Sequence, residues 1–129
     1  MALANLEIME RENLVGRVRD DVGPYLAQQF AGLSSHPLVG VAETCGLMAG
    51  LVLVKDKASK TPFPSELEVG MRCRAHCFAN GLIMRAVGDR MIIAPPLTIT
   101  HAQIDELMVL IHKVLDLTLA DARAAAWMD

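Results

Sequence analysis

The sequence predicts an α+β domain, an α/β sandwich in which helices cover a small antiparallel sheet made of two hairpins. Three segments carry apolar residues at helical spacing, and two pairs of segments rich in β-branched residues separate them. A short glycine-containing turn joins the two members of each pair, as is typical of a hairpin. The predicted order is therefore α-ββ-α-ββ-α, and residues 1–129 form a single domain.

Composition favours one soluble domain and excludes several classes of function. The chain has 129 residues, of which 53% are hydrophobic, 21% charged and only 4% aromatic. A net charge of −3 with both signs interspersed leaves no basic surface for nucleic acid. The longest apolar stretch, residues 45–54, is too short to cross a bilayer, and three cysteines do not make a disulfide framework. We expect a cytoplasmic location and no contact with membrane.

The first helix is predicted over residues 2–20, because its apolar residues form one stripe with the charged residues off it. The pattern continues as far as Leu33. Gly23-Pro24 is expected to restart or kink the helix, since proline is tolerated in a first helical turn. Gly32 and Ser34-Ser35 end it.

The first pair of strands is predicted over residues 39–44 and 47–54, with Cys45-Gly46 as the bend between them. The second strand of this pair is apolar on both of its faces, so we expect both faces to be covered. Residues 55–64 follow as a polar loop.

The middle helix is expected to begin at Ser65 and to end at Asn80-Gly81. Ser65 and Glu68 have the spacing of a capping box, in which each residue bonds the backbone N–H of the other. Asn80-Gly81 is a common C-terminal stop, because glycine accepts the left-handed conformation that ends many helices.

The second hairpin is predicted over residues 82–87 and 90–94, which flank the two-residue turn Gly88-Asp89. Pro95-Pro96 ends the ladder, since proline has no N–H to donate.

The last helix is capped by Thr100, with Gln103 at the capping-box position and Ile99 and Ile104 as a hydrophobic staple. Six apolar residues continue one stripe along it: Leu107, Met108, Ile111, Val114, Leu115 and Leu119.

Arg85 is the candidate binding residue, because it lies within an apolar extended run. Alternation places Ile83, Arg85 and Val87 on one face of the strand and Leu82, Met84 and Ala86 on the other. In one interpretation its stem packs while the guanidinium reaches water or pairs with Asp89 or Glu43. In the other it binds a carboxylate, since the guanidinium fork matches a carboxylate with two parallel hydrogen bonds. Arg90 is a competing candidate, although an arginine beside a turn is usually solvated.

Other chemistry-bearing residues favour structural roles. Cys73, His76 and Cys77 could share one helix face and bind zinc, but the sequence offers no second ligand pair, so a packed helix face is preferred. Cys45 and the scattered histidines lack the context of a catalytic triad. Asp105-Glu106 complement the dipole at the start of the last helix, and His101 is expected to be solvated there. No catalytic, cofactor-binding or metal-binding residue is predicted.

Three ordered segments resemble the C-terminal part of the class III aminotransferases, among them the ω-transaminases and the putrescine– or β-alanine–pyruvate transaminases. They read "NLEIMERENLVGRV", "HPLVGVAETCGLMAGLVLVKDKASKTPFP" and "GLIMRAVGDRMIIAPPLTITHAQIDEL". The resemblance covers nearly the whole chain. It implies the small C-terminal domain of a fold-type I enzyme, which packs on a large domain that binds pyridoxal 5'-phosphate.

The resemblance also implies a role for Arg85. In this family the matching arginine binds the substrate carboxylate and swings away for amines that lack one. The parent reaction moves an amino group between an amine or ω-amino acid and a keto acid such as pyruvate, in an enzyme expected to be a homodimer. The Schiff-base lysine belongs to the large domain, which has no counterpart here, so we expect these residues alone to be inactive. The alternative is a free-standing regulatory module that binds small carboxylates through Arg85.

Overall fold

The computed structural model describes residues 1–128, in which helices pack on one face of a four-stranded antiparallel sheet. The strand order is β1-β2-β4-β3, so the two hairpins lie side by side and β2 meets β4 in the middle. The predicted fold class and element order are confirmed. The strands are β1 (Val39–Cys45), β2 (Met48–Leu53), β3 (Arg85–Val87) and β4 (Arg90–Ile93), and the helices are α1 (Ala2–Arg11), α2 (Leu14–Arg17), α3 (Gly23–Ala31), α4 (Val69–Ala79) and α5 (His101–Ala124).

The N-terminal helical segment is interrupted earlier than the sequence predicts. Asn13, with a φ of 48°, separates α1 from α2. The expected restart at Gly23-Pro24 is confirmed, since α3 begins at Gly23, and a π-helical turn, Val18–Val22, leads directly into it. The Gly23 N–H bonds the Val18 carbonyl, and a Cβ on Gly23 would lie 2.3 Å from that oxygen. The wider turn therefore accommodates Pro24, and only glycine fits before it.

Both predicted hairpins are present, with small changes at their ends. Cys45 pairs with Met48, so the first turn is Gly46-Leu47, and Gly46 has the positive φ of 59° that such turns need. Gly88 likewise has a φ of 56° in the second turn. The strand β3 has only three residues, because residues 82–84 approach it outside the ladder.

Only one face of the sheet is covered within residues 1–128. The inner face, toward the helices, carries side chains that are almost fully buried: Ala49, Leu51, Leu53, Met91 and Ile93. On the opposite face of β2, Met48 is exposed and Gly50 and Val52 are half-buried. The expectation that both faces of this strand are covered is therefore wrong for the described chain. Val52 pairs across the sheet with Val41 and Arg90, and no helix of the described residues covers this side of it.

The helix α4 begins differently from the prediction. Ser65–Leu67 form a single 3-10 turn, and Glu68 adopts a left-handed conformation with a φ of 48°. The predicted capping box between Ser65 and Glu68 is wrong, because neither side chain reaches the first backbone N–H groups of α4. The helix ends as expected, at Asn80 followed by Gly81 with a φ of 74°.

The helix α5 contributes many of the buried core residues and begins as predicted. The Gln103 N–H donates to Oγ1 of Thr100, and the Thr100 N–H donates to Oε1 of Gln103. Ile99 and Ile104 are both buried beside this cap, and all six residues of the predicted stripe are buried. They belong to one buried cluster with the residues of the inner face and with Leu26 and Phe30 of α3. None of the helices in the described chain is both long and apolar enough to cross a membrane.

Candidate functional site

The open face of the sheet holds the predicted binding residue. We call this surface the outer face, and cross-strand pairing assigns its residues, since paired residues point to the same side of a sheet. Its members are Val41, Glu43, Cys45, Met48, Gly50, Val52, Arg85, Val87, Arg90 and Ile92. It is an apolar surface with two guanidinium groups toward one edge and one carboxylate on the strand at the other edge.

Arg85 is the first residue of β3 and lies on the outer face. The predicted alternation is confirmed: Leu82 and Met84 are buried, whereas Arg85 and Val87 are exposed. Ile83 is 78% exposed just before the strand. The guanidinium is thus flanked by apolar side chains and open to any molecule that covers this face.

Arg85 has neither of the ion-pair partners considered from the sequence. It pairs with Ile92, which pairs with Gly50, which pairs with Glu43, so Glu43 stands at the far end of the same row. Three inter-strand spacings separate the backbones of Arg85 and Glu43 by about 14 Å. Apart from its backbone pairing with Ile92, Arg85 makes no side-chain hydrogen bond or ion pair with another residue within positions 1–128. Its charge is therefore available to a ligand.

Asp89 has a different partner. Its Oδ1 accepts a hydrogen bond of 2.9 Å from the backbone N–H of Gly70 in the first turn of α4. A carboxylate at this position also complements the positive end of the helix dipole. The turn of the second hairpin therefore caps α4, a role that residues 65–68 were expected to fill. The nineteen positions between Gly70 and Asp89 explain why local spacing did not reveal it.

Arg90 lies on the same face as Arg85 and diagonal to it, with a Cα separation of roughly 7–8 Å. It is exposed, as expected for an arginine beside a turn. Arg90, Ile92 and Glu43 contribute to the lining of a shallow trough of about 520 Å³ over β1, β2 and β4. Arg85 stands beyond that trough, on the edge strand. The two arginines therefore occupy different surroundings on one face.

The cysteine and histidine cluster of α4 is packed into the structure. Cys73 and Cys77 are buried, and a hydrogen bond between their sulfurs lowers the pKa of Cys73 and raises that of Cys77. Nε2 of His76 lies 2.7 Å from Oδ2 of Asp121 in α5. The residues that the structure describes contain no group of three or more side chains suited to a metal ion.

Two other histidines bind carboxylates that the sequence did not suggest. His36 is only 7% exposed and contacts Asp116, and His101 contacts Asp21 at 2.7 Å. His101 is half-exposed but also stacks on Tyr25, with ring centroids 4.0 Å apart, so it is less solvated than expected. Each of these pairs joins residues eighty positions apart, a separation that leaves no local spacing signal.

Asp105 also has a partner that the sequence did not reveal. The first turn of α5 contains no acidic residue, so the expectation that Asp105-Glu106 lie there and complement the helix dipole is wrong. The Asp105 carboxylate accepts a 2.5 Å hydrogen bond from the Tyr25 hydroxyl, which raises the pKa of that hydroxyl. Asp105 therefore joins α5 to α3.

The lysines do not form a site for pyridoxal phosphate. Lys55, Lys57, Lys60 and Lys113 are all exposed. Lys57 donates to the backbone carbonyls of Ser34 and His36, which makes it a tether for its loop. None of the four lies in an enclosed pocket that could hold the cofactor ring, so the residues described here do not fit that cofactor by themselves.

Comparison with known proteins relates the chain to aminotransferases. No family model matches the chain. Over 120 residues it is 50% identical to the putrescine–pyruvate aminotransferase of Pseudomonas aeruginosa, an alignment that covers 93% of this chain and 26% of that enzyme. It is 39% identical over 121 residues to a diaminobutyrate–2-oxoglutarate transaminase of Halomonas elongata, covering 88% of this chain and 26% of that enzyme. The chain therefore spans about a quarter of the length of these relatives.

Solved structures agree in fold. An omega-transferase from Vibrio fluvialis JS17 superposes with a TM-score of 0.90 at 35% identity, over 95% of this chain and 29% of that protein. The chain is thus similar to these enzymes in sequence and in fold over nearly its whole length. It corresponds to their C-terminal portion. The homologues and solved neighbours of the chain are class III aminotransferases, and the chain matches the C-terminal domain of these enzymes.

Proposed function

We propose that these residues form the part of a pyridoxal-phosphate-dependent aminotransferase that recognises the substrate carboxylate, with Arg85 as its anchor. The reaction of the whole enzyme moves an amino group between an amine or ω-amino acid and a keto acid such as pyruvate. The observation that carries the proposal is the position of Arg85, exposed and without a partner on an apolar face. The proposal is also supported by 50% identity to an enzyme whose name pairs putrescine with pyruvate.

The surroundings of Arg85 suit carboxylate binding. A guanidinium bonds a carboxylate through two parallel charge-assisted hydrogen bonds, worth about 1.5–3 kcal/mol each when water is excluded. Ile83, Val87 and Ile92 provide apolar neighbours that would exclude water once another surface covers them. For a substrate without a carboxylate, an unpaired guanidinium in the same place would be costly. The exposed and flexible side chain of Arg85 allows it to turn away in that case.

The cofactor belongs to the remainder of the parent enzyme in this proposal. When bound, pyridoxal phosphate supplies the electron sink for transamination. The residues of this chain bind and orient the carboxylate and exclude water beside it, while the large domain holds the cofactor. We therefore expect the 129 residues alone to be inactive, an expectation that the exposure of their four lysines supports.

In the proposed assembly, other parts of the enzyme cover the exposed apolar surfaces of these residues. The helix α1 buries none of its residues, and Leu3, Leu6 and Ile8 are exposed along it. We propose that the large domain and a second subunit of a homodimer cover this helix and the outer face. A cytoplasmic location is supported by Cys45, Cys73 and Cys77, which are all free thiols.

The test replaces the matched segment of the Pseudomonas aeruginosa relative with these residues, and we call the product the fused enzyme. We expect the fused enzyme to transaminate pyruvate with putrescine, and the isolated chain to show no turnover with pyridoxal phosphate. Borohydride treatment of the isolated chain with the cofactor should leave no stoichiometric lysine adduct. An adduct at one lysine together with turnover would show that the isolated chain is itself an enzyme.

The alternative function, a free-standing carboxylate-binding module, is favoured by the same unpartnered Arg85. It requires the isolated chain to bind small carboxylates such as pyruvate at millimolar concentration or better. Two results together would favour the module over the enzyme domain. The isolated chain would bind pyruvate in a way that Arg85→Ala abolishes, and the fused enzyme would be inactive. Because one guanidinium is usually insufficient to orient a ligand, we expect no such binding.

A further inference from the structure

The turn beside Arg85 is held by two hydrogen bonds that Asp89 accepts from backbone N–H groups of other elements. Its side-chain Oδ1 accepts from the Gly70 N–H at 2.9 Å, and its backbone carbonyl accepts from the Leu53 N–H at 2.8 Å. The first bond fixes the turn to the start of α4, and the second fixes it to the end of β2. Asp89 thus joins α4 and β2 to the β3–β4 hairpin, in whose turn it lies.

Gly70 makes this junction possible. A Cβ at Gly70 would lie 2.0 Å from the carbonyl oxygen of Gly88, a distance that no side chain can occupy. The helix therefore starts in direct contact with the backbone of the turn. Glu68, at the N-cap position, makes no side-chain cap to the helix, so the Asp89 carboxylate supplies a cap from outside the segment.

Both ends of the strand that carries Arg85 are tied to α4. At one end, residues 80–84 connect α4 directly to β3. At the other end, Asp89 returns to the first turn of the same helix, four positions after Arg85. The strand β3 is an edge strand, and β4 is its one partner in the sheet. The contact at Asp89 therefore adds to the pairing with β4 and to the burial of Leu82 and Met84, which hold this short edge strand.

We propose that Asp89 is a positioning residue for Arg85. It holds the hairpin against α4, so that the backbone of Arg85 is fixed while its side chain remains free to turn. This inference rests on the proposed function, in which Arg85 binds the substrate carboxylate. Asp89 itself contacts no substrate, because its Oδ1 is bonded to Gly70 on the helix side of the hairpin.

The test compares three variants in the fused enzyme: Arg85→Ala, Asp89→Ala and Asp89→Asn. Pyruvate carries a carboxylate and putrescine does not, so their KM values separate carboxylate recognition from general damage. We expect Arg85→Ala to raise the pyruvate KM by roughly 10- to 100-fold. Asp89→Ala should raise it by roughly 3- to 10-fold through misplacement of the anchor. Asn retains an oxygen that accepts from Gly70, so Asp89→Asn should stay within about twofold of the parent.

The control is Glu106→Ala, which removes an exposed carboxylate from α5, outside the sheet and the hairpin that carry Arg85. It should change neither KM. If Arg85→Ala raises the pyruvate KM and Asp89→Ala does not, the positioning role is wrong and the proposed function stands. If Asp89→Ala raises both KM values equally, its role is only structural. If Arg85→Ala itself has no effect, the proposed function fails first.

Discussion

His36 and Asp116 form a hydrogen bond of 3.1 Å between Nε2 and Oδ1, although eighty positions separate them in the sequence. Nδ1 of the same ring accepts a hydrogen bond from the Leu38 N–H. An atom that accepts cannot carry a proton, so the neutral ring carries its proton on Nε2 and donates it to Asp116. The ring is buried, and burial lowers the pKa of His36 despite the opposing effect of Asp116.

We therefore predict that acid destabilises the domain through His36. Because the pKa of His36 is lower in the folded chain than its ordinary value of 6.5, the unfolded chain binds more protons between the two values. This contribution to the free energy of unfolding is complete above pH 6.5 and is lost as the pH falls through the folded pKa. Urea unfolding at a series of pH values between 7.5 and 5 measures it.

The matched variants for this experiment are His36→Gln and His112→Gln. The first should flatten the dependence of the unfolding free energy on pH in this range. The second changes an exposed histidine of α5 and should keep most of that dependence. An unchanged pH profile in His36→Gln would show that another group is responsible.

Gly70→Ala should destabilise the domain strongly. Its new Cβ would lie 2.0 Å from the Gly88 carbonyl oxygen, and both groups belong to backbone that cannot move without disturbing the hairpin. We expect a loss of about 1–3 kcal/mol in the free energy of unfolding, measured by urea titration. Gly32→Ala is the control, because nothing lies within 4 Å of its Cβ position and its φ is −60°. There we expect no loss and a gain of up to about 1 kcal/mol.

Thr100→Ala should weaken the start of α5. The variant loses the Oγ1 acceptor of the Gln103 N–H and one half of the capping box. The expected cost is about 1 kcal/mol in the free energy of unfolding. Thr98→Ala, two residues earlier at an exposed position, should have a much smaller effect. Equal costs for the two variants would mean that the hydroxyl of Thr100 does not stabilise the helix.

Arg17→Met should loosen the N-terminal segment. The Arg17 guanidinium donates to the backbone carbonyls of Leu97 and Ile99, at 2.7 and 2.5 Å, and so ties α2 to the segment before α5. Hydrogen bonds from a charged group are worth about 1.5–3 kcal/mol, so the free energy of unfolding should fall by an amount of that order. Arg19→Met removes only an exposed contact to its neighbour Asp20 and should leave stability unchanged. Thermal unfolding of the two variants side by side compares them directly.

Local patterns predicted the parts of the fold that local physics determines. The cap at Thr100, the turn at Gly88 and the alternation around Arg85 each depend on a few neighbouring residues, and all three are confirmed. The start of α4 was predicted wrongly because its cap comes from Asp89, nineteen positions later. The sequence did not reveal that the outer face is open. A strand that is apolar on both sides has the same pattern whether its second side is covered by this chain or by another part of the protein.

The candidate site was predicted only in part for the same reason. Periodicity placed Arg85 among apolar neighbours, and its role as carboxylate anchor comes from the family resemblance and stays a prediction. The contacts of His36, His101 and Tyr25 each join residues eighty positions apart, so they required the tertiary structure. The break at Asn13 likewise depends on a left-handed residue within a segment whose apolar pattern is continuous.

The most direct test of Arg85 as the carboxylate anchor is the pyruvate KM of Arg85→Ala relative to that of Arg90→Ala, both in the fused enzyme. Arg90 is the matched control, because it carries the same charge on the same face. We predict that Arg85→Ala raises the pyruvate KM at least about tenfold and leaves the putrescine KM within about twofold, while Arg90→Ala changes neither by more than about threefold. A pyruvate KM that is unchanged in Arg85→Ala, or raised equally in both variants, would contradict the assignment.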